Sequence, residues 1–121
     1  MDRKPLLCNM TNENKHTPAC ILIDKFGDRW SLNILMLLHQ NGVMRFSELQ
    51  KKIPTISQRM LAITLKTLEN LNLIHREAYP EVPPRVEYSL TDLAEELIPI
   101  VQTLIDWANQ HAEELTKNWE K

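Results

Sequence analysis

Glycine occurs only twice in the 121 residues, at positions 27 and 42. So little glycine argues against sandwiches and barrels with their many tight turns, and it leaves no Gly-rich loop to cradle a phosphate. Cysteine also occurs twice, at 8 and 20, with no C-x-x-C pair. That excludes a disulfide-built scaffold and a paired-thiolate metal site. Long apolar runs are missing as well. Ile34 to Leu38 is among the longest, far short of the ~20 residues that cross a bilayer. The opening MDRKPLLCNM is charged and lacks the apolar stretch of a secretory signal. There is no nucleophile elbow, phosphate loop or H-E-x-x-H, and the carboxylates gather toward the C-terminus instead of pairing around a pocket. The chain is therefore expected to be no enzyme and to carry no metal or cofactor. It is expected in a reducing cytoplasm, away from membranes, with both cysteines as free thiols.

What is present is ordinary in amount and uneven in placement. Contents of 43% hydrophobic and 25% charged residues suit one globular domain of this length. The net charge of −2 conceals three unlike segments. Residues 45–85 carry Arg45, Lys51, Lys52, Arg59, Lys66, Arg76 and Arg85 against Glu48, Glu69, Glu77 and Glu81, an excess of +3. Residues 86–121 set two lysines against eight carboxylates, an excess of −6, and residues 1–44 stand at +1. A basic middle favours a polyanionic partner, although such an excess is also common on solvated surfaces.

Residues 1–15 are polar and read as a flexible arm before a single domain over 16–121. Thr17-Pro18 is an N-cap with proline at the first helical position, opening a helix through Ile21, Leu22, Lys25 and Phe26. Gly27 ends that helix and Asp28 caps a second, which passes through Trp30, Ile34, Leu35, Leu37 and Leu38 to the turn signal Asn41-Gly42. Val43 to Phe46 is short, β-prone and placed to pair with a later hairpin. Ser47 is expected to cap a helix over 48–53, which Pro54 stops. Ser57 caps the next helix, with Leu61, Leu65, Leu68 and Leu71 as one buried stripe. Residues 73–79 and 86–90 read as strands, with Val86, Tyr88 and Leu90 facing inward, joined by a loop stiffened by Pro80, Pro83 and Pro84. Thr91 caps a final helix bearing Leu93, Leu97, Ile98, Val101, Leu104, Ile105 and Ala108 on its apolar face, with a kink expected at Pro99.

The fold class is therefore mainly α with a small β-hairpin. A helix pair followed directly by a hairpin, over 46–91, is the sequence form of a winged helix-turn-helix, with terminal helices left over. Such a unit sets its second helix into the major groove of double-stranded DNA. Ser57, Gln58 and Arg59 stand at the leading end of that helix, where Gln suits adenine and Arg suits guanine. Ala62 and Ile63 suit thymine methyls, and Lys66 suits a phosphate. Arg85, on the stiff wing, is the candidate minor-groove or phosphate contact. The bland alternative is a plain surface helix with Ile63 tucked against a neighbour and Arg85 an ordinary surface arginine.

Several strings resemble the HxlR-type transcriptional regulators, bacterial proteins of the MarR-like superfamily. They are Phe26-Gly27-Asp28-Arg29-Trp30, Arg45-Phe46-Ser47-Glu48-Leu49, Ile56-Ser57-Gln58-Arg59-Met60-Leu61, Leu68-Glu69-Asn70-Leu71, the run from Val82 to Thr91, and the late Trp107. The resemblance extends from residue 17 to about residue 110, and its most specific part is P-P-R-V-E-Y-S-L-T. It implies a winged-helix homodimer on a palindromic operator, near genes of detoxification or stress response, and a repressor that answers to stress or a small effector.

The residues left over fit that picture. The terminal helices hold more apolar positions than a 14.2 kDa core needs. Leu97, Val101, Leu104, Ile105, Trp107 and Ala108, within 92–118, are the candidate dimer surface, with packing inside one chain as the alternative. Two copies would space their reading helices about 34 Å apart, one turn of DNA. Family members that sense oxidants or electrophiles resemble one another in a cysteine just before the proline of the first helix; here Thr17 holds that place. Cys20 and Cys8 remain as redox candidates, with Lys15 or His16 near enough in sequence to favour a thiolate, against the reading of Cys20 as a small buried residue. His16, Cys20 and Cys8 also form a weak ligand-like spacing, while His39, His75 and His111 stand isolated. A small-molecule effector is left open. The rival function is a winged helix used for protein contacts without an operator; the absence of a carboxylate early in the reading helix argues against it.

Overall fold

A computed structural model describes residues 17–119. The arm over 1–15, Cys8, and the Lys15 and His16 invoked beside Cys20 lie outside the described residues. Helix α1 (Pro18–Lys25) starts where Thr17 Oγ1 accepts the Cys20 amide at 3.0 Å. Before α2 (Ser31–Asn41), one oxygen of the Asp28 carboxylate accepts the amides of Trp30 and Ser31, each at 2.9 Å. Those are donors that a helix start otherwise leaves open. Gly42 closes α2 at φ 76°, a conformation costly for any residue with a Cβ, and donates to the Leu38 carbonyl at 2.8 Å.

The chain then enters β1 (Met44–Arg45) and α3 (Phe46–Lys52). Ser47 is not the cap. Arg45 caps α3, because β1 already holds it extended and the Glu48 carboxylate three residues on accepts its amide at 2.7 Å. A carboxylate in that position satisfies the open donor better than a neutral hydroxyl. The following turn is pinned at three points. Ile53 and Ile56 are buried, and Gln50 Nε2 donates to the Ile56 carbonyl at 2.9 Å.

Ser57 Oγ then accepts the Met60 amide at 3.0 Å and opens α4 (Gln58–Asn70). Leu61, Leu65 and Leu68 are buried at helical spacing, and each contributes about 1.5–3 kcal/mol by leaving water. Buried Thr64 sits among them with its hydroxyl donating to the Met60 carbonyl at 2.8 Å, so no polar atom is stranded. Asn72 takes φ 63°, a region that asparagine tolerates, and Leu73 donates back to the Leu68 carbonyl at 3.0 Å.

Strands β2 (Ile74–Tyr79) and β3 (Arg85–Leu90) form the hairpin, and β1 adds to its other edge in the antiparallel order β1-β3-β2. Met44 faces Tyr88 in register, so the short β-prone segment pairs as its sequence suggests. Thr91 joins three elements: its hydroxyl accepts the Ala94 amide at 3.1 Å to open α5 (Asp92–Gln110), and donates to the Asn72 carbonyl at 2.7 Å. Helix α5 continues through Pro99 without breaking and is followed by α6 (Ala112–Thr116). Ile34, Leu35 and Leu38 of α2 and Ala94 and Ile98 of α5 share one core with the α4 stripe and Tyr88. The result is mainly helical with a three-stranded sheet, and that core holds α3, α4 and the hairpin as one piece.

Candidate nucleic-acid interface

The two sides of α4 separate by chemistry. Leu61, Thr64, Leu65 and Leu68 face the core, whereas Ser57, Gln58, Arg59, Ala62, Ile63 and Lys66 are all exposed. Ile63 keeps 48% of its surface open to solvent, so it is not tucked against a neighbour. Among the described residues Gln58 and Arg59 have no side-chain hydrogen bond or ion pair, and Lys66 only approaches Glu69, at 3.8 Å. The leading end of α4 thus offers an amide and a guanidinium unengaged, next to apolar patches, in the residue types that read base edges.

On the wing, Arg85 is engaged by its own hairpin. Arg85 faces Tyr79 across the hairpin, and its guanidinium carbon lies 4.0 Å from the centre of that ring. Its Nη2 is 3.2 Å from Glu81, and its Nε, buried and without a hydrogen bond, lies 3.5 Å from the Glu87 carboxylate. With side-chain exposure of 29%, Arg85 shapes the wing, and its charge is already answered by two carboxylates.

The candidate dimer residues fall into three groups. Val101 is buried within its own chain; Leu97, Ile105 and Ala108 are half-buried; Leu104 and Trp107 are exposed, Leu104 at 58%. Sequence reasoning missed Ile100, exposed at 65%. With it, Leu93, Leu97, Ile100, Leu104 and Trp107 recur at alternating steps of four and three, the seam spacing of paired helices. That alternation was the available signal. The Trp107 ring stacks on His111 at 4.8 Å, and an apolar groove of about 540 Å³ runs between α1 and the start of α5, with Ile21, Leu22, Leu93 and Leu97 among its walls.

Cys20 corrects another expectation. It is half-buried in the first turn of α1 and disulfide-bonded, not a free thiol. Sequence spacing does not reveal whether two cysteines come within bridging reach, which is a matter of Cα separation in the fold. The other candidate, Cys8, lies outside the described residues. Among the described residues no three His, Cys, Asp or Glu side chains gather as metal ligands, and no helix is long and apolar enough to cross a membrane.

With this geometry in hand, the chain matches the family model of the HxlR-like helix-turn-helix over residues 25–116. The chain belongs to the HxlR-like family. Its curated relatives include an uncharacterised helix-turn-helix-type transcriptional regulator of Methanothermobacter thermautotrophicus, 43% identical over 101 residues, which are 84% of this chain and 76% of that one. Among solved structures, the YtfH protein of Salmonella typhimurium matches with a TM-score of 0.75 at 35% identity, covering 94% of this chain and 99% of that one. The redox regulator HypR in its reduced form matches with a TM-score of 0.71 at 36% identity, covering 84% and 99%. This HxlR-like chain is therefore a helix-turn-helix transcriptional regulator, built as a winged helix like its MarR-family neighbours. The string from Pro83 to Thr91, the most specific part of the resemblance, forms the end of the wing loop, β3 and the cap of α5.

Proposed function

We propose that this HxlR-like chain is a homodimeric, sequence-specific DNA-binding repressor that lays α4 into the major groove of a palindromic operator. One observation carries the reading: Ser57, Gln58, Arg59, Ala62, Ile63 and Lys66 all lie on the exposed face of α4, while its stripe of leucines is buried in the core. In this reading Ser57, Gln58, Arg59, Ala62 and Ile63 meet bases and Lys66 meets a phosphate. The seam from Leu93 to Trp107 supports a partner copy, which would place two α4 helices one DNA turn apart.

The effector we assign is an oxidant acting through Cys20. The disulfide at Cys20 supports this, as does the likeness to a redox regulator. Work in the cytoplasm belongs to the same reading. A gel-shift titration with Arg59→Ala tests it: loss of about 1–3 kcal/mol in operator affinity supports base contact by α4, and unchanged affinity removes that assignment.

A further inference from the structure

We propose that Arg76 of β2, acting with Lys66 of α4, is the clamp for one DNA phosphate beside the reading helix. The inference rests on the proposed placement of α4 in the major groove. In the hairpin register Arg76 stands opposite Tyr88, on the same side of β2 as buried Ile74. There it lines a recess of about 340 Å³ together with Ala62, Leu65, Lys66 and Glu69. Arg76 is exposed, and among the described residues it forms no ion pair, unlike Arg85 with its two carboxylates.

The location suits a phosphodiester for a geometric reason. When Gln58, Arg59, Ala62 and Ile63 meet base edges, the strand that borders the groove passes between the helix and the wing. That path crosses the recess. Ala62 is small enough to let a backbone approach closely, and Lys66 follows it one helical turn later. The planar fork of Arg76 then meets the phosphate oxygens from the strand side while Lys66 meets them from the helix side. Glu69 is the one carboxylate lining the recess, and it holds Lys66 at 3.8 Å. In the bound state a phosphate replaces it as the partner of Lys66, and the carboxylate left nearby repels the backbone. The Lys66–Glu69 contact and the remaining carboxylate therefore oppose binding, and that cost disappears when Glu69 loses its charge.

Phosphate contacts do not depend on sequence, so a random-sequence duplex long enough for two half-sites serves as the probe. Fluorescence anisotropy across a salt series compares the wild-type chain with Arg76→Gln, Arg76→Lys and Glu69→Gln. Arg76→Gln weakens binding about tenfold at low salt and makes the slope of log K against log salt shallower by about one. Arg76→Lys keeps most of the slope, which a purely structural role for the side chain would not produce. Glu69→Gln binds more tightly than wild type. Wild-type binding with an unchanged slope in Arg76→Gln, or weaker binding in Glu69→Gln, overturns the clamp while leaving α4 in the groove. No binding of the duplex by the wild type at low ionic strength overturns the placement of α4 and the clamp with it.

Discussion

The guanidinium of Arg85 lies 4.0 Å above the Tyr79 ring, between residues that face each other across the hairpin. Glu81 and Glu87 hold the same group at 3.2 and 3.5 Å. An arginine stacked and paired in this way closes the wing. Arg85→Gln should lower stability in urea unfolding by about 1 kcal/mol, a modest figure because the group is partly exposed. It should leave the salt slope of DNA binding unchanged. A slope shallower by about one with stability intact would instead make Arg85 a phosphate contact.

Ile100 and Leu104 are exposed on the α5 seam, so a charge there need not disturb the core of one chain. Ile100→Glu or Leu104→Glu should leave the helical circular dichroism as it is and weaken self-association about a hundredfold or more, since each buries an unpaired carboxylate. Light scattering at micromolar concentration reads the result. A wild-type monomer under those conditions, or a variant as dimeric as wild type, removes the seam from the account.

The Thr91 hydroxyl serves both the Ala94 amide and the Asn72 carbonyl, tying the start of α5 to the end of the reading helix. Thr91→Ala should cost about 1–2 kcal/mol in equilibrium unfolding. It should also raise amide exchange at the start of α5. Leu65→Ala, in the buried stripe of α4, should cost more, about 2–5 kcal/mol.

Cys20 is disulfide-bonded at the start of α1. Operator affinity of the wild type should differ between reduced and oxidant-treated protein, and Cys20→Ser should bind alike in both. A chain without either cysteine that still releases DNA on oxidant treatment would exclude the thiol as the sensor.

Much of this was legible in the residues, for identifiable reasons. Thr17, Ser57 and Thr91 are capping residues placed just ahead of apolar periods, so three helix starts could be read from local chemistry; α2 instead has Trp30 as its N-cap, with the Asp28 carboxylate two residues earlier accepting amides. The leucine stripe fixed which side of α4 would be exposed. Ser47 misled because Arg45, already extended in β1 and with its amide taken by Glu48, caps α3 and puts Ser47 inside the first turn. Arg85 and Glu87 share one side of β3 by simple alternation, so their pairing could have been read in advance; the approach of Glu81 and the ring of Tyr79 needed the closed hairpin. Arg76 gave no local signal at all. Its meaning comes from lying across a recess from Lys66, ten residues away in sequence.

The claim on which the functional reading depends is that Gln58 and Arg59 face nucleobases. Selection of binding sites from randomised duplexes by the wild type and by Arg59→Ala tests it most directly. The account predicts a two-fold symmetric site for the wild type, and for the variant the same site with preference lost at one base pair in each half. No enriched site, or an identical preference in the two selections, would contradict it.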